Sequence, residues 1–309
     1  MTDSVVSADD TQNEEKKKKK KGGCLWRIVF WLALLVFIAS AAILGYLAWT
    51  YWLGQHEYDE IAARAFPNEQ TNTLADMVVD WDALRAINPE VVAWVYVPDT
   101  IINYPVAHKP GDSQFYLKHN FSNDYGKKYG AEYGCIMLSG ENAGDFSDEV
   151  NIIYGHHLRN GAMFAPFGDF YENEMFNQHR TIYLLTPQGN YRLETFAVEH
   201  VPMTHGSIAT PNYATDQEFT EFKEWLVSQS VVTPDPDTSA DALAATKLFG
   251  FCTCDGEDNT WRYITFAVPA EFVPIEYVGT GEYHGNSDVS GDDVGAVEGT
   301  TQDRIDDLR

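Results

Sequence analysis

Hydrophobic positions fall into three regimes along the chain. From Ile28 to Leu53 they form an unbroken run without a charge, IVFWLALLVFIASAAILGYLAWTYWL. About 20 apolar residues suffice to cross a bilayer. A secretory leader has a shorter apolar core followed by a small-residue cleavage site. Ala39-Ser40-Ala41 has that composition, but the apolar run continues well past it. The segment is therefore expected to be an uncleaved signal anchor. Two helical stretches follow, Glu57 to Phe66 and Leu74 to Ile87. In the second, Leu74, Met77, Val78, Trp81 and Leu84 recur at helical spacing, and Asn88-Pro89 stops it.

From Val91 the pattern becomes strand-like. Val91 to Val97 is β-branched and aromatic, and Pro98-Asp99 ends it. Ile101 to Val106 follows, and then a turn at Gly111-Asp112. Tyr133 to Leu138, Asn151 to Tyr154, Thr181 to Thr186 and Tyr191 to His200 are further strands, the last two joined by a hairpin turn at Pro187 to Asn190. Asp216 to Gln229 is a helix, capped by Thr215/Asp216, with an apolar stripe of Phe219, Phe222, Trp225 and Leu226. Lys247 to Cys254 and Arg262 to Val268 are the final strong strands. Short strands at this spacing predict a closed or nearly closed β-barrel. After about Tyr283 the chain turns to Gly, Asp, Ser and Thr, which predicts a disordered acidic tail.

Charge adds orientation. Lys16 to Lys21 form a basic run just before the apolar segment, which places the N-terminus in the cytoplasm and the bulk of the chain outside. Trp49, Tyr51 and Trp52 then lie at the outer interface as an aromatic belt. The formal net charge of −25 arises beyond the basic segment. An acidic ectodomain is repelled by phosphate, which excludes a nucleic-acid partner. Four cysteines, Cys24, Cys135, Cys252 and Cys254, are too few for a disulfide scaffold. Cys252 and Cys254 are spaced too closely for a zinc half-site, and no second pair exists. Cys135 reads as a core thiol.

The chemistry concentrates in two segments. In LFGFCTCDGEDNTWRYITFAV, Leu248 to Val268, two apolar strands flank a polar connection containing Gly256. A symmetric hairpin register places Cys254 opposite Arg262, and directly opposed residues share a face. A neighbouring cation favours thiolate, the nucleophilic form, and can stabilise an oxyanion. Taken alone, a Cys and an Arg are more often a buried hydrophobe and a surface charge. The second segment, NIIYGHHLRNGAMF, Asn151 to Phe164, is a short strand ending in Tyr-Gly-His-His. Gly155 permits a sharp turn, and imidazole suits proton transfer near neutrality. Neighbouring residues in a strand point oppositely, so only one of His156 and His157 can face a given thiol. Cys252 shares the strand parity of Cys254, so alternation alone leaves both thiols open.

These motifs resemble those of class B sortases. Tyr154-Gly155-His156 followed by Asn160-Gly161-Ala162-Met163-Phe164 resembles the family's histidine region. Phe251-Cys252-Thr253-Cys254 is similar to its L-x-T-C motif, with Phe in place of Leu, and Arg262-Tyr263-Ile264 resembles its arginine segment. Ile87 to Val95 and Ile102 to Val106 resemble its first strands, so the likeness runs from Trp81 to Val273. The resemblance implies a mainly β fold: a sortase-type closed β-barrel of about eight strands, with N-terminal helices and an inserted helix between late strands. The helix at Asp216 to Gln229 favours class B over class A. It also implies His156 as acid/base, Cys254 as nucleophile and Arg262 as the substrate-positioning or oxyanion-stabilising residue, with Thr253 and Tyr154 at the substrate.

Implied by that resemblance is a transpeptidase that cleaves a C-terminal sorting signal of secreted proteins through a thioester. The acyl group then passes to an amine of peptidoglycan or a pilin lysine, with no cofactor and no metal. The expected organisation is a cytoplasmic basic segment over 1–27, a membrane anchor over 28–53 and an extracellular linker or helix over 54–80. A catalytic domain over 81–280 and the tail over 281–309 complete it. A cysteine peptidase or amidase acting on surface or wall peptides would use the same residues, and a non-catalytic surface binding module is the remaining alternative.

Overall fold

The structure, a computed structural model, describes residues 22–66, 74–123, 133–204, 210–256, 258, 260–274, 276–277 and 283–284. The basic run Lys16 to Lys21 and the tail from residue 285 lie outside the described residues. The chain divides into two compact units, Met1–Trp52 and Leu53–Arg309. Helix α1, Gly22–Ala65, begins in the first and ends in the second. It is long and apolar enough to cross a membrane by length and composition.

Within the second unit, the last turns of α1 are tied down by polar contacts. The Glu57 carboxylate accepts from Asn120 Nδ2 at 2.8 Å. Tyr58 donates its hydroxyl to the Gly134 carbonyl and meets Tyr104 edge-on, with ring centroids 5.4 Å apart. The single helix expected from Leu74 to Ile87 is instead broken. A 3-10 turn at Leu74–Asp76 is followed by irregular chain and then by helix α2, Trp81–Ile87. Two contacts account for the break. Asn190 Nδ2 donates to the carbonyls of Leu74 and Met77 at 2.9 and 2.8 Å, taking acceptors a continuous helix would need. Asp80 then restarts the helix, its side chain accepting from Ala83 N at 2.8 Å.

Eight strands close the barrel. They are β1 (Val91–Tyr96), β2 (Asn103–His108), β3 (Ile136–Leu138), β4 (Val150–Tyr154), β5 (Thr181–Leu185), β6 (Gly189–Pro202), β7 (Leu248–Cys254) and β8 (Trp261–Pro274). Their order is β1-β2-β3-β4-β7-β8-β6-β5, with β5 returning to β1. The pairs β2/β3 and β4/β7 are parallel and the rest antiparallel. The closed eight-stranded barrel expected from the sequence is therefore present. A separate two-stranded ribbon, β9 (Glu276–Tyr277) with β10 (Tyr283–His284), reaches the start of the segment read as tail.

Two short helices, α3 (Ala165–Asp169) and α4 (Asn173–Gln178), lie between β4 and β5 and have no counterpart in the sequence reading. Helix α5, Asp216–Gln229, sits between β6 and β7 as expected, with Thr215 Oγ1 accepting from Glu218 N at 3.2 Å. Helix α6, Ser239–Ala244, follows it. Phe219, Phe222 and Leu226 of α5 and Ala242 of α6 form one buried cluster with Ile152, Phe196, Cys252, Ile264 and Phe266. The two helices thus cover part of one face of the sheet β4-β7-β8-β6.

Strand register defines two rows on that face. Met137, Tyr154, Cys252, Ile264 and Glu199 are paired in sequence across β3, β4, β7, β8 and β6. One step further along, Cys254, Arg262 and Val201 pair across β7, β8 and β6. Glu199 closes the first row at 2% exposure, and its Oε1 has no hydrogen-bond partner among the described residues. Burial raises its carboxyl from 4.5 to about 8. Between those values the folded chain holds a proton that the unfolded chain has lost, so stability falls as pH rises through this window. Glu199→Gln is expected to leave stability at pH 4 nearly unchanged and to raise it at pH 8 by on the order of 4 kcal/mol. Urea unfolding at the two pH values checks this. An unchanged pH slope would mean that the carboxylate is ionised in the fold.

Candidate active site

Where α5 and α6 stop, the same sheet face opens into a cleft of about 390 Å3. Its lining includes His156, Cys254, Arg262, Tyr154 and Thr253, all singled out in the sequence, together with Cys252. Ser113, Gln114, Leu117 and Met203 also line it and were not anticipated. Ser113, Gln114 and Met203 lie in turns and Leu117 ends a 3-10 turn, Phe115–Leu117, and none of these segments carries a chemical signature in its composition.

Cys254 is the last residue of β7 and Arg262 the second of β8, and the two are direct register partners. The hairpin pairing expected from symmetry is therefore the one observed. Short contacts hold the guanidinium at the rim. Nη1 donates to the Trp261 carbonyl at 2.7 Å and Nη2 approaches Met203 Sδ at 3.0 Å. Met203 is 60% exposed, which leaves its thioether at the mouth of the cleft.

The two thiols of β7 share the face but not the environment. Cys254 is half-buried at the strand end, whereas Cys252 lies among the apolar cluster under α5. Burial pushes the Cys252 thiol up to about 12, a shift that the Arg262 charge opposes and the Cys254 thiol reinforces. Cys252 is therefore held as a neutral thiol near pH 7. Cys135 is buried, as expected of a core thiol, and its ionisation is likewise pushed upward by burial.

The two histidines also separate. His156 lines the cleft, and its Nε2 lies 2.8 Å from the Leu117 carbonyl. A carbonyl only accepts, so Nε2 carries the proton and Nδ1 is the nitrogen left for exchange. Gly134, at φ +61°, makes room for the ring, since a Cβ there would sit 2.8 Å from His156 Cδ2. His157 turns away from the cleft, and its Nδ1 lies 3.1 Å from the Cys254 carbonyl. Gly155 matters for a different reason from the one expected. Its backbone is not in the left-handed region, but a Cβ would fall 2.5 Å from Phe164 Cγ and 2.6 Å from Ile136 Cδ1. Close approach, not a special turn conformation, is what demands glycine there.

Strand alternation turns Thr253 away from Cys254, so its main chain borders the cleft. Its hydroxyl is buried with no hydrogen-bond partner among the described residues. Tyr154 is half-buried on the floor, and burial drives its phenol ionisation well above the ordinary range. Among the described residues no group of three or more His, Cys, Asp and Glu is arranged to hold a metal ion.

No family model matches the chain. Sortase B of Listeria monocytogenes is 28% identical over 189 residues, covering 61% of this chain and 72% of that protein. Among solved structures, Clostridium perfringens sortase B superposes with a TM-score of 0.54 at 25% identity, over 61% of this chain and 98% of that one. At modest identity over most of the chain, these likenesses support a class B sortase. The chain is accordingly a cysteine transpeptidase of the sortase type. A further sortase B, solved in complex with triglycine, shares the fold with a TM-score of 0.53 at 22% identity, over 63% of this chain and 86% of that one. The class B assignment fits the placement of α5 between β6 and β7, where it roofs the sheet beside the cleft.

In this sortase the burial difference between the thiols gives a direct expectation. Iodoacetamide at pH 7.5 should label Cys254 rapidly, with Cys252 and Cys135 reacting only on unfolding, as read by peptide mass mapping. Fast labelling of Cys252 in the folded protein would reverse the assignment of the accessible thiol.

Proposed function

We propose that this class B sortase uses Cys254 as nucleophile, His156 as acid/base and Arg262 to position substrate and stabilise its oxyanion. The supporting observation is that Cys254 faces Arg262 across the β7/β8 hairpin in the cleft that His156 also lines. The Cys254 thiolate attacks the scissile carbonyl of a C-terminal sorting signal on a secreted protein. The C–N bond breaks, and His156 Nδ1 delivers a proton to the departing amine. A thioester on Cys254 remains. An acceptor amine then attacks it, His156 takes up the amine proton, an amide forms and the thiolate departs. The main chain at Thr253 and the ring of Tyr154 border the path of the substrate.

The acceptor in this reading is an amine of peptidoglycan or a pilin lysine. The sortase B solved with triglycine favours the former, since a glycine peptide offers an unhindered primary amine. Residues 28–53 act as the anchor, with the N-terminus cytoplasmic and a catalytic domain over 81–280 outside. Tethering enzyme and membrane-borne substrate to one surface raises their effective concentration. The proposed chemistry needs no cofactor.

Cys254→Ala is expected to abolish thioester capture of a sorting peptide, while Cys252→Ala retains it; mass spectrometry of the intact protein reads both. Survival in the first and loss in the second would move the nucleophile to Cys252. Adding an amine such as triglycine should divert product from acid to amide. Exclusive hydrolysis at high amine would replace the transferase reading with that of a peptidase.

A further inference from the structure

The turn that carries His156 also carries His157, and the proposed chemistry leaves His157 without a role. Its surroundings are specific. Strands β4 and β7 run parallel to the pair Tyr154 and Cys252, and Gly155 N donates to the Cys252 carbonyl at 3.0 Å. In a parallel ladder the carbonyl two residues on points to the same neighbour. That carbonyl belongs to Cys254, and by then β4 has ended. His157 Nδ1 reaches it from the side, at 3.1 Å. Because a carbonyl only accepts, Nδ1 must carry the hydrogen. A side chain thus supplies the next rung of the ladder after the backbone has turned off.

The ring is clamped in that place. A Cβ on Gly168, in α3, would lie 2.6 Å from His157 Cε1 and Nδ1. A Cβ on Gly256, two residues after Cys254, would lie 2.8 Å from Cε1 and 2.9 Å from Nε2. Two glycines therefore form the slot for the imidazole. On the turn itself, His157 bridges Met163, and Phe164 N donates to the His156 carbonyl at 2.9 Å. The hydrogen bond joins positions 97 apart in sequence, and at each end it lies within one residue of a group placed at the reacting centre.

We propose that His157 is a positioning residue: its Nδ1–H, held between Gly168 and Gly256, fixes the main chain of Cys254 relative to the turn that bears His156. The inference rests on the reading of Cys254 and His156 as the reacting pair. Proton transfer and thiolate attack both depend on their mutual spacing, and an error of about 1 Å can cost on the order of a hundredfold in rate. His157 makes no contact with substrate in this scheme and exchanges no proton.

Steady-state kinetics on a sorting peptide with triglycine, together with the pH profile of kcat/KM, tests this. Asn presents an amide N–H near the position of Nδ1, whereas Phe fills the slot without a donor. His157→Phe is expected to lower kcat about ten- to a hundredfold with KM within about twofold. His157→Asn should recover most of that loss, with both limbs of the pH profile in place. Gly168→Ala, which displaces the ring without removing it, should lower kcat in the same direction. It decides the matter together with the Asn variant if the Phe variant does not fold. Wild-type kcat in a folded His157→Phe or in Gly168→Ala would overturn the proposal. Loss of a limb of the pH profile in a folded His157→Asn would also overturn it, by making His157 a proton carrier. The underlying reading is probed separately by His156→Ala, which should abolish thioester formation. If it does not, the acid/base assignment fails whatever His157 does.

Discussion

Strands β4 and β7 pair in parallel, and the geometry of the cleft depends on that pairing. The register Tyr154 to Cys252 brings the end of one strand beside the end of another across a crossover that includes β5, β6, α5 and α6. Parallel neighbours need such long connections, and their ladders sit under covering helices. Here the cover is incomplete. Helices α5 and α6 bury the sheet face around Phe266, Phe196 and Ile152, and the face opens at Cys254 and Arg262. A site at the carboxyl ends of β4 and β7 follows, because both strands stop there while the β7/β8 hairpin continues as a turn.

The same ladder imposes the local packing. Gly155 has to be small because Phe164 and Ile136 close over it. Phe164 in turn meets Phe167 edge-on and Phe251 at a steep angle, with centroids 4.9 and 6.1 Å away. The aromatic block of α3 therefore buttresses both the histidine turn and the strand that carries the thiols. Interiors this closely packed transmit displacement, so side chains remote from Cys254 help to fix its position. Glu199 stands out within that packing. It carries a carboxyl into the row beneath the cleft where an apolar residue would satisfy the sheet equally well, and burial holds its proton well above the usual carboxylate range.

Much of this was legible in the sequence, for identifiable reasons. β1, β4 and β5 announce themselves as short runs of β-branched, aliphatic and aromatic residues, and the helix from Asp216 to Gln229 through its apolar stripe and its cap. The Cys254 and Arg262 pair could be read because a hairpin register is a local property, fixed by turn length and strand symmetry. The broken helix after Leu74 could not be read, since its cause is Asn190, distant in sequence, capturing two carbonyls. Leu117 was equally invisible: it contributes a backbone carbonyl to His156, and any residue supplies a carbonyl. Helices α3 and α4 were missed because they are too short to show a period. Sequence alternation left two thiols and two histidines open, and only the third dimension separates the members of each pair.

That separation follows from one geometric fact repeated twice. Along β7, Cys252 and Cys254 share a face, yet one lies under the α5 cluster and the other past its edge. A thiol under the helices meets a low dielectric, and the cost of ionising it exceeds what the Arg262 charge returns. Two residues further on, the same arginine is a direct cross-strand neighbour and the roof has ended. Along the β4 turn, His156 stays on the cleft side while His157 is drawn behind it by the Cys254 carbonyl. The carbonyl that β7 presents beyond the end of β4 thus does two things: it gives one histidine a structural partner, and in doing so it leaves the other on the cleft. Residue types alone could not decide between the alternatives, because the decision lies in where the roof ends and where the ladder runs out.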